Sequence, residues 1–151
     1  MKKIYIAGPD VFLPKNRYQK LKEKKLSICR KYGFKALHPL DDSFSTAEEI
    51  ADANFALIDK CDIIVANANP FRGQEPDSGT MCEIGYGIAN NKQIICYMND
   101  TTPMYDKYGP VDQNGDFYEN FGYPINLMIA SKAIIIKGGF EDAIKYAQAN
   151  A

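Results

Sequence analysis

Several features are scarce in this sequence of 151 residues. No apolar run approaches the roughly 18 residues that would cross a bilayer, and the apolar part of the first stretch is too short for a signal peptide. We therefore expect a cytoplasmic protein with no membrane partner. The 18 Lys and Arg nearly balance the 19 Asp and Glu, so the formal net charge is -1. That balance gives no electrostatic basis for binding a nucleic acid polymer, and the expected partner is a small molecule.

Cofactor and metal motifs are also missing. The four cysteines are widely spaced with no C-x-x-C pair, which favours reduced core residues over a disulfide frame or zinc site. One of them, Cys82, could be a reactive thiol, but a small apolar side chain packed under a helix is the expected role. There is no phosphate-binding P-loop, and Gly85-x-Gly87 lacks the third glycine of a dinucleotide fingerprint. The sequence therefore predicts no cofactor and no metal.

Two polar features have simple structural interpretations. The single histidine, His38, pairs with no serine or cysteine in a recognisable triad. The adjacent carboxylates Asp41 and Asp42 would suit a metal site, yet they precede Ser45 and Glu48, whose spacing predicts a helix cap. We expect the aspartates to lie in the loop before that helix.

Five short β-rich runs alternate with helical segments. The predicted strands are residues 3–7, 34–37, 62–66, 93–98 and 133–136. The predicted helices are residues 16–32, 45–60 and 78–90, a short helix from Pro124, and residues 140–149. The lysines of the first helix are expected on its solvated face. This alternation favours α/β architecture: a single doubly wound domain over residues 1–151 with a five-stranded parallel sheet in the flavodoxin-like order 2-1-3-4-5.

The stretch 75–87 carries the side chains best suited to catalysis. It follows a predicted buried strand, so it should open a helix at the strand's carboxyl end, where open α/β sheets bind ligands. Asp77 and Glu83 place two carboxylates there, among small residues that let a ligand approach the backbone. The Thr80-x-x-Glu83 spacing is also that of a capping box, in which the glutamate only satisfies an amide at its own helix start. The pattern by itself leaves both roles open.

Other residues point to a nucleobase site around this stretch. Phe71 offers an aromatic face to a base, and Arg72 could hydrogen-bond the base or simply be solvated. Asn54 shares a helix face with Ile50 and Leu57, so its amide needs a partner. The long polar connection 99–122 is expected to cover the site.

Three blocks of the sequence together resemble one enzyme family. They are residues 4–9 (IYIAGP), the run Asp77-x-Gly79-Thr80-x-x-Glu83-x-Gly85, and residues 124–128 (PINLM). In this order they resemble the nucleoside 2-deoxyribosyltransferases, and residues 71–77 and 123–128 resemble the purine-accepting branch in particular. The resemblance implies transfer of the 2-deoxyribosyl group between nucleobases of 2′-deoxynucleosides, through a covalent deoxyribosyl-glutamate intermediate with net retention. The implied partners are deoxynucleosides and free nucleobases.

The resemblance also implies roles for individual residues. Glu83 would be the nucleophile, Asp77 would manage the proton of the departing base, and Tyr5 would orient Glu83. Asn126 would reach the sugar, often from an adjacent subunit, so a homo-oligomer (dimer or hexamer) would be required for activity. The residues expected to bind substrate are Gly8, Asp10, Phe12, Asn54, Phe71, Arg72, Gly79 and Met128.

Two other functions stay open. A hydrolase of the same superfamily would use the same glutamate, with water as acceptor, to cleave 2′-deoxynucleoside 5′-monophosphates. It would need phosphate donors, and only Ser78, Thr80 and Arg72 are obvious near the motif. A non-catalytic nucleotide-binding module would instead use Glu83 only as a helix cap.

Overall fold

The fold is built on one parallel sheet. The computed structural model describes residues 1–39 and 45–151. The strands are β1 (Lys3–Ala7), β2 (Lys35–Leu37), β3 (Ile63–Asn67), β4 (Gln93–Met98) and β5 (Ile134–Lys137). They are hydrogen-bonded in the order β2-β1-β3-β4-β5, and every neighbouring pair is parallel. The predicted doubly wound sheet and its strand order are confirmed.

Helices cover both faces of this sheet. Within the described residues they are α1 (Lys15–Lys31), α2 (Ala47–Lys60), α3 (Ser78–Ala89), α4 (Met104–Tyr108), α5 (Leu127–Ala130) and α6 (Phe140–Ala149). None of these helices is long and apolar enough to cross a membrane.

The apolar strands supply two separate cores because successive side chains point to opposite faces. On one face Tyr5 and Ile64 pack with α2, α3 and α5. On the other face Ile4 and Val65 pack with α1 and α6. A strand that is buried on both faces is apolar at nearly every position. The continuous apolar runs of the sequence therefore predict the central strands.

Several helix starts differ from the predicted ones. The cap of α2 is Thr46, which forms a reciprocal capping box with Glu49, one residue later than the predicted pair of Ser45 and Glu48. Asp41 and Asp42 lie outside the described residues. The short helix predicted from Pro124 begins at Leu127, because the Asn126 side chain accepts a hydrogen bond from the Met128 amide and caps it. The connection 99–122 contains α4 and a bridge between Val111 and Phe117.

Three side chains differ from the expected burial. Cys82 is exposed on α3, whereas Cys29, Cys61 and Cys96 are buried as expected. Ile50, predicted on the apolar face of its helix, is exposed. Lys25, predicted on a solvated face, is among the most buried polar side chains in the described residues. Helical periodicity in the sequence predicts which side chains share a face of the helix. Whether that face is buried depends on elements from elsewhere in the chain that pack on it.

Helix α3 lies very close to the sheet at Gly87. A Cβ atom at this position would lie 2.3 Å from the Ile64 Cδ1 atom of β3. Residues four apart share a helix face, so the same face carries Glu83 one turn earlier. The close approach therefore directs Glu83 toward the neighbouring strand β1.

Candidate active site

A cavity of about 170 Å³ opens beside the carboxyl end of β1 and the start of α3. Predicted site residues that line it are Gly8, Asp10, Phe12, Asn54, Asp77, Gly79 and Glu83. They come from the turn after β1, from α2 and from the start of α3. The topology thus brings together residues that are far apart in the sequence, at the edge where parallel sheets bind ligands.

Glu83 contacts Tyr5 at this cavity. The Tyr5 hydroxyl, which is fully buried on β1, donates a hydrogen bond to the Glu83 Oε2 atom. The pKa of Glu83 is raised from 4.5 to about 7: burial is the largest cause, the Tyr5 hydrogen bond opposes it, and the nearby Asp77 charge adds to it. The pKa of Tyr5 is raised by burial and by the Glu83 charge, so the hydroxyl keeps its proton. Glu83 is therefore a carboxyl group that titrates near neutral pH.

Asp77, not Glu83, caps helix α3. Its Oδ2 atom accepts hydrogen bonds from the Thr80 amide at 2.9 Å and from the Thr80 hydroxyl at 2.8 Å. The capping box suggested by the Thr80-x-x-Glu83 spacing does not form, because the Glu83 side chain turns inward to Tyr5. The other Asp77 oxygen, Oδ1, accepts no hydrogen bond from the described residues.

Asn54 presents an unused acceptor at the cavity. Its Oδ1 atom is buried and has no hydrogen-bond partner within residues 1–39 and 45–151. Buried polar atoms are normally paired, so an orphan at a cavity wall is suited to a ligand's N–H or O–H donor. The sequence predicts that this amide needs a partner, and within the described residues its Oδ1 atom has none.

Phe71 and Arg72 reach the cavity only through Phe12. The rings of Phe12 and Phe71 stack with centroids 5.5 Å apart, and the Arg72 guanidinium lies 4.6 Å from each centroid. Arg72 also has a φ of 53°, a left-handed conformation that costs energy outside glycine. Phe12 itself lines the cavity, so these three side chains form one aromatic and cationic edge beside it.

Asn126 and Met128 are predicted site residues that do not line this cavity. The Asn126 Nδ2 atom donates to Glu119 at 3.2 Å, and the Leu127 amide donates to the same carboxylate at 2.6 Å. Met128 is 71% exposed.

Sequence reasoning missed His38 and Tyr18, which also line the cavity. Their rings lie 5.8 Å apart. Burial lowers the pKa of His38, so the imidazole is neutral at pH 7. The signal in the sequence was the position of His38, directly after a strand end, rather than any triad partner.

Comparison with known proteins decides the family. The family model for nucleoside 2-deoxyribosyltransferase matches residues 4–128. The chain belongs to the nucleoside 2-deoxyribosyltransferase family. This family consists of enzymes, and the predicted resemblance is confirmed.

Solved structures agree with this family. A 2-desoxiribosyltransferase from Leishmania mexicana is 36% identical with a TM-score of 0.90, over 99% of this chain and 98% of that one. A 2-deoxyribosyltransferase from Bacillus psychrosaccharolyticus shares the fold at 19% identity and a TM-score of 0.62, over 98% of this chain and 94% of that one. The Clostridium botulinum CMP N-glycosidase shares the fold at 16% identity and a TM-score of 0.55, over 98% of this chain and 99% of that one. No curated protein matches the sequence.

The cap of α3 in this deoxyribosyltransferase family member can be tested by two substitutions at one position. Asp77→Ala should lower the free energy of unfolding by about 1 kcal/mol, because two hydrogen bonds at the helix start are lost. Asp77→Asn should cost less than about 0.5 kcal/mol, since asparagine caps helices as well as aspartate does. Urea unfolding followed by circular dichroism measures both. Equal losses for the two variants would contradict the capping role.

The raised pKa of Glu83 predicts a pH-dependent stability. The folded chain holds this proton more tightly than the unfolded chain, so the free energy of unfolding should fall as the pH rises from 4.5 to about 7. Glutamine cannot ionise, so Glu83→Gln should be more stable than wild type above pH 7, by about 1 to 3 kcal/mol. Below the ordinary pKa of glutamate the two proteins should be equally stable.

Thermal and urea unfolding between pH 4 and pH 9 give the comparison for Glu83. Glu23→Gln, at an exposed position of α1, is the matched control and should follow wild type. A helix-capping role for Glu83 predicts the opposite sign, a loss of stability at every pH.

Proposed function

We propose that this protein transfers the 2-deoxyribosyl group between nucleobases of 2′-deoxynucleosides, through a covalent ester on Glu83 and with net retention. The observation that carries the proposal is the Glu83 carboxyl group at the cavity, held by the Tyr5 hydroxyl. Within the described chain no lysine or arginine forms an ion pair with it. A poorly solvated carboxylate without a counter-cation is available to attack an electrophilic carbon.

The first half of the reaction breaks the C1′–N bond of the donor nucleoside. Positive charge develops on the sugar carbon in the transition state, and a Glu83 oxygen captures that carbon to form the ester. This step requires that Asp77 and Glu83 together hold one proton, with Glu83 ionised and the proton on the Asp77 Oδ1 atom, which the helix cap does not use. The departing base takes that proton. The Tyr5 hydrogen bond fixes the attacking carboxylate in one orientation.

The second half reverses these steps with a different base. A ring nitrogen of the acceptor base attacks C1′, the ester bond to Glu83 breaks, and the acceptor's N–H proton returns to Asp77. Two inversions at C1′ leave the configuration unchanged. The exchange is balanced in protons and needs no water, which separates it from hydrolysis.

Charge on the cavity wall supports a nucleoside rather than a nucleotide as substrate. The described wall residues include three carboxylates, Asp10, Asp77 and Glu83, and no lysine or arginine. His38 is kept neutral by burial. Among the described wall residues no cation can receive a 5′-phosphate, since Lys25 is already paired with Asp10 and the Arg72 guanidinium lies on the Phe12 and Phe71 rings at the edge of the cavity. This disfavours cleavage of nucleoside monophosphates, the alternative suggested by the name of the C. botulinum CMP N-glycosidase.

We further propose that the active form is a homo-oligomer in which Asn126 completes the site of a neighbouring subunit. Asn126 lies outside the cavity of its own chain, yet its amide is held in place by Glu119. Phe117 and Phe121, each two residues from Glu119 in the sequence, and Met128, two residues after Asn126, are all exposed by 64% or more. Exposed apolar side chains that lie close together are typical of a protein interface.

Base exchange tests the proposed reaction directly. Deoxyinosine incubated with the protein should yield deoxyadenosine only when adenine is present, together with hypoxanthine, as seen by chromatography. Glu83→Gln should reduce turnover by about 10³-fold or more, because no ester can form. Mass spectrometry of acid-quenched wild type should show one added deoxyribosyl group on the peptide that contains Glu83.

Asp77→Asn is the matched variant for the proton transfer, because it keeps the helix cap. Its turnover should fall while its fold is retained. Equal amounts of hypoxanthine and free deoxyribose, whether or not adenine is added, would contradict the transferase and indicate a hydrolase. Faster consumption of deoxyinosine monophosphate than of deoxyinosine would do the same.

Mixing two inactive variants tests the shared site. Glu83→Gln and Asn126→Ala should each be inactive alone, but subunit exchange in a dimer would give roughly a quarter of the sites both wild-type residues. Activity of the mixture should therefore return to roughly a quarter of the wild-type value. Glu83→Gln mixed with the folded but inactive Asp77→Asn is the control, since both changes affect residues of one chain's own cavity. No recovery in a verified mixed oligomer would contradict the contribution of Asn126.

A further inference from the structure

Lys25 is a buried charge that the proposed reaction does not use. It is 3% exposed and lies on the buried face of α1, seven residues after Tyr18 and four before Cys29. This position in a helix is normally filled by an apolar side chain. An ammonium group removed from water is costly unless its charge is paired and its hydrogens are bonded.

The partners of Lys25 connect it to the active-site cavity. Its Nζ atom forms an ion pair with the Asp10 Oδ2 atom and donates to the Tyr97 hydroxyl at 3.1 Å. The same Nζ atom lies 5.2 Å from the centre of the Phe140 ring. Asp10 belongs to the turn after β1, Tyr97 to β4 and Phe140 to α6, so one ammonium group joins four elements of the fold.

Asp10 is the member of this group that faces the cavity. It is 9% exposed and lines the cavity wall together with Glu83. Its Oδ2 atom is occupied by Lys25, and its Oδ1 atom accepts no hydrogen bond from the described part of the chain. A Cβ atom at Gly8 would lie 3.9 Å from Oδ1, so Gly8 and Oδ1 are neighbours, and both residues line the cavity. An ionised carboxylate only accepts hydrogen bonds, so Oδ1 suits an O–H or N–H group of a ligand.

We infer that Lys25 is a positioning residue for nucleoside binding: its buried ammonium group holds the Asp10 carboxylate so that Oδ1 accepts a hydrogen bond from the substrate. This inference rests on the proposed deoxynucleoside substrate. The ion pair fixes one carboxylate oxygen, and the rigid planar group then sets the direction of the other. A preorganised acceptor costs less to order when the substrate binds.

Replacing Lys25 by methionine tests the inference, because methionine matches the stem but lacks the charge. Lys25→Met should raise the KM for deoxyinosine by about 10- to 100-fold, because this is the loss of affinity expected when one hydrogen bond to a charged group is removed. It should change kcat by less than about 3-fold. Lys25→Arg, which keeps the charge, should recover part of the loss. Lys24→Met, at the exposed neighbouring position, is the matched control and should leave both constants unchanged.

Binding without turnover separates this inference from the proposed function. In the Glu83→Gln background, calorimetry should show deoxyinosine binding weakened by the same factor when Lys25→Met is added. Wild type that binds deoxyinosine but exchanges no base would overturn the proposed reaction and leave this inference standing. Unchanged binding in a folded Lys25→Met variant would overturn the inference.

The double variant Lys25→Met, Asp10→Asn controls for folding, because it removes both buried charges together. Circular dichroism should show it folded, with deoxyinosine binding still weakened. Binding restored to the wild-type value would mean that Lys25 only neutralises Asp10 for stability, which overturns the positioning role.

Substrate analogues identify which group of the substrate donates a hydrogen bond to Asp10. If it accepts a sugar hydroxyl, the effect of Lys25→Met should disappear with either 2′,3′-dideoxyinosine or 2′,5′-dideoxyinosine. If it accepts a base N–H, the effect should persist with both and disappear with purine 2′-deoxyriboside, whose base has no N–H donor. An effect of the same size with all three analogues would overturn a direct contact with Asp10.

Discussion

The close packing of α3 on β3 is the constraint on which the candidate site depends. A residue without a side chain at Gly87 lets the helix lie against Ile64, where a Cβ atom would be only 2.3 Å from that side chain. Glu83 lies one turn earlier on the same face, so the helix brings its carboxyl group to Tyr5 on β1. The position of the proposed nucleophile is therefore set by a contact that contains no catalytic atom.

Three carboxylates share this cavity, and each has a different kind of partner. Asp10 is paired with the buried ammonium group of Lys25, and Asp77 accepts the amide and hydroxyl of Thr80. Within the described residues Glu83 has only the neutral hydroxyl of Tyr5 as a partner, so burial dominates and its pKa rises to about 7. These environments suit three separate proposed roles, those of an oriented acceptor, a proton carrier and a nucleophile.

The same fold leaves some of the predicted site residues outside the cavity. Asn126 caps α5 with one side-chain atom and is held by Glu119 through another, and it does not line the cavity of its own chain. Met128, two residues after Asn126, and Phe117, two residues before Glu119, are both exposed. The proposed site assembled from two chains would link activity to assembly.

Local patterns in the sequence determined the strands, the parallel sheet and the carboxylate-bearing helix, because apolar runs and glycine-rich turns act over a few residues. They did not determine whether Glu83 caps its own helix, since the capping spacing is present in the sequence and only the fold places Tyr5 beside Glu83 and makes Asp77 the cap. Nor did they reveal that Lys25 is buried, because its partners Asp10 and Tyr97 lie 15 and 72 residues away. Contacts between residues so far apart in the sequence form only when the helices pack on the sheet. These contacts fix the positions of the charged groups and of the cavity walls.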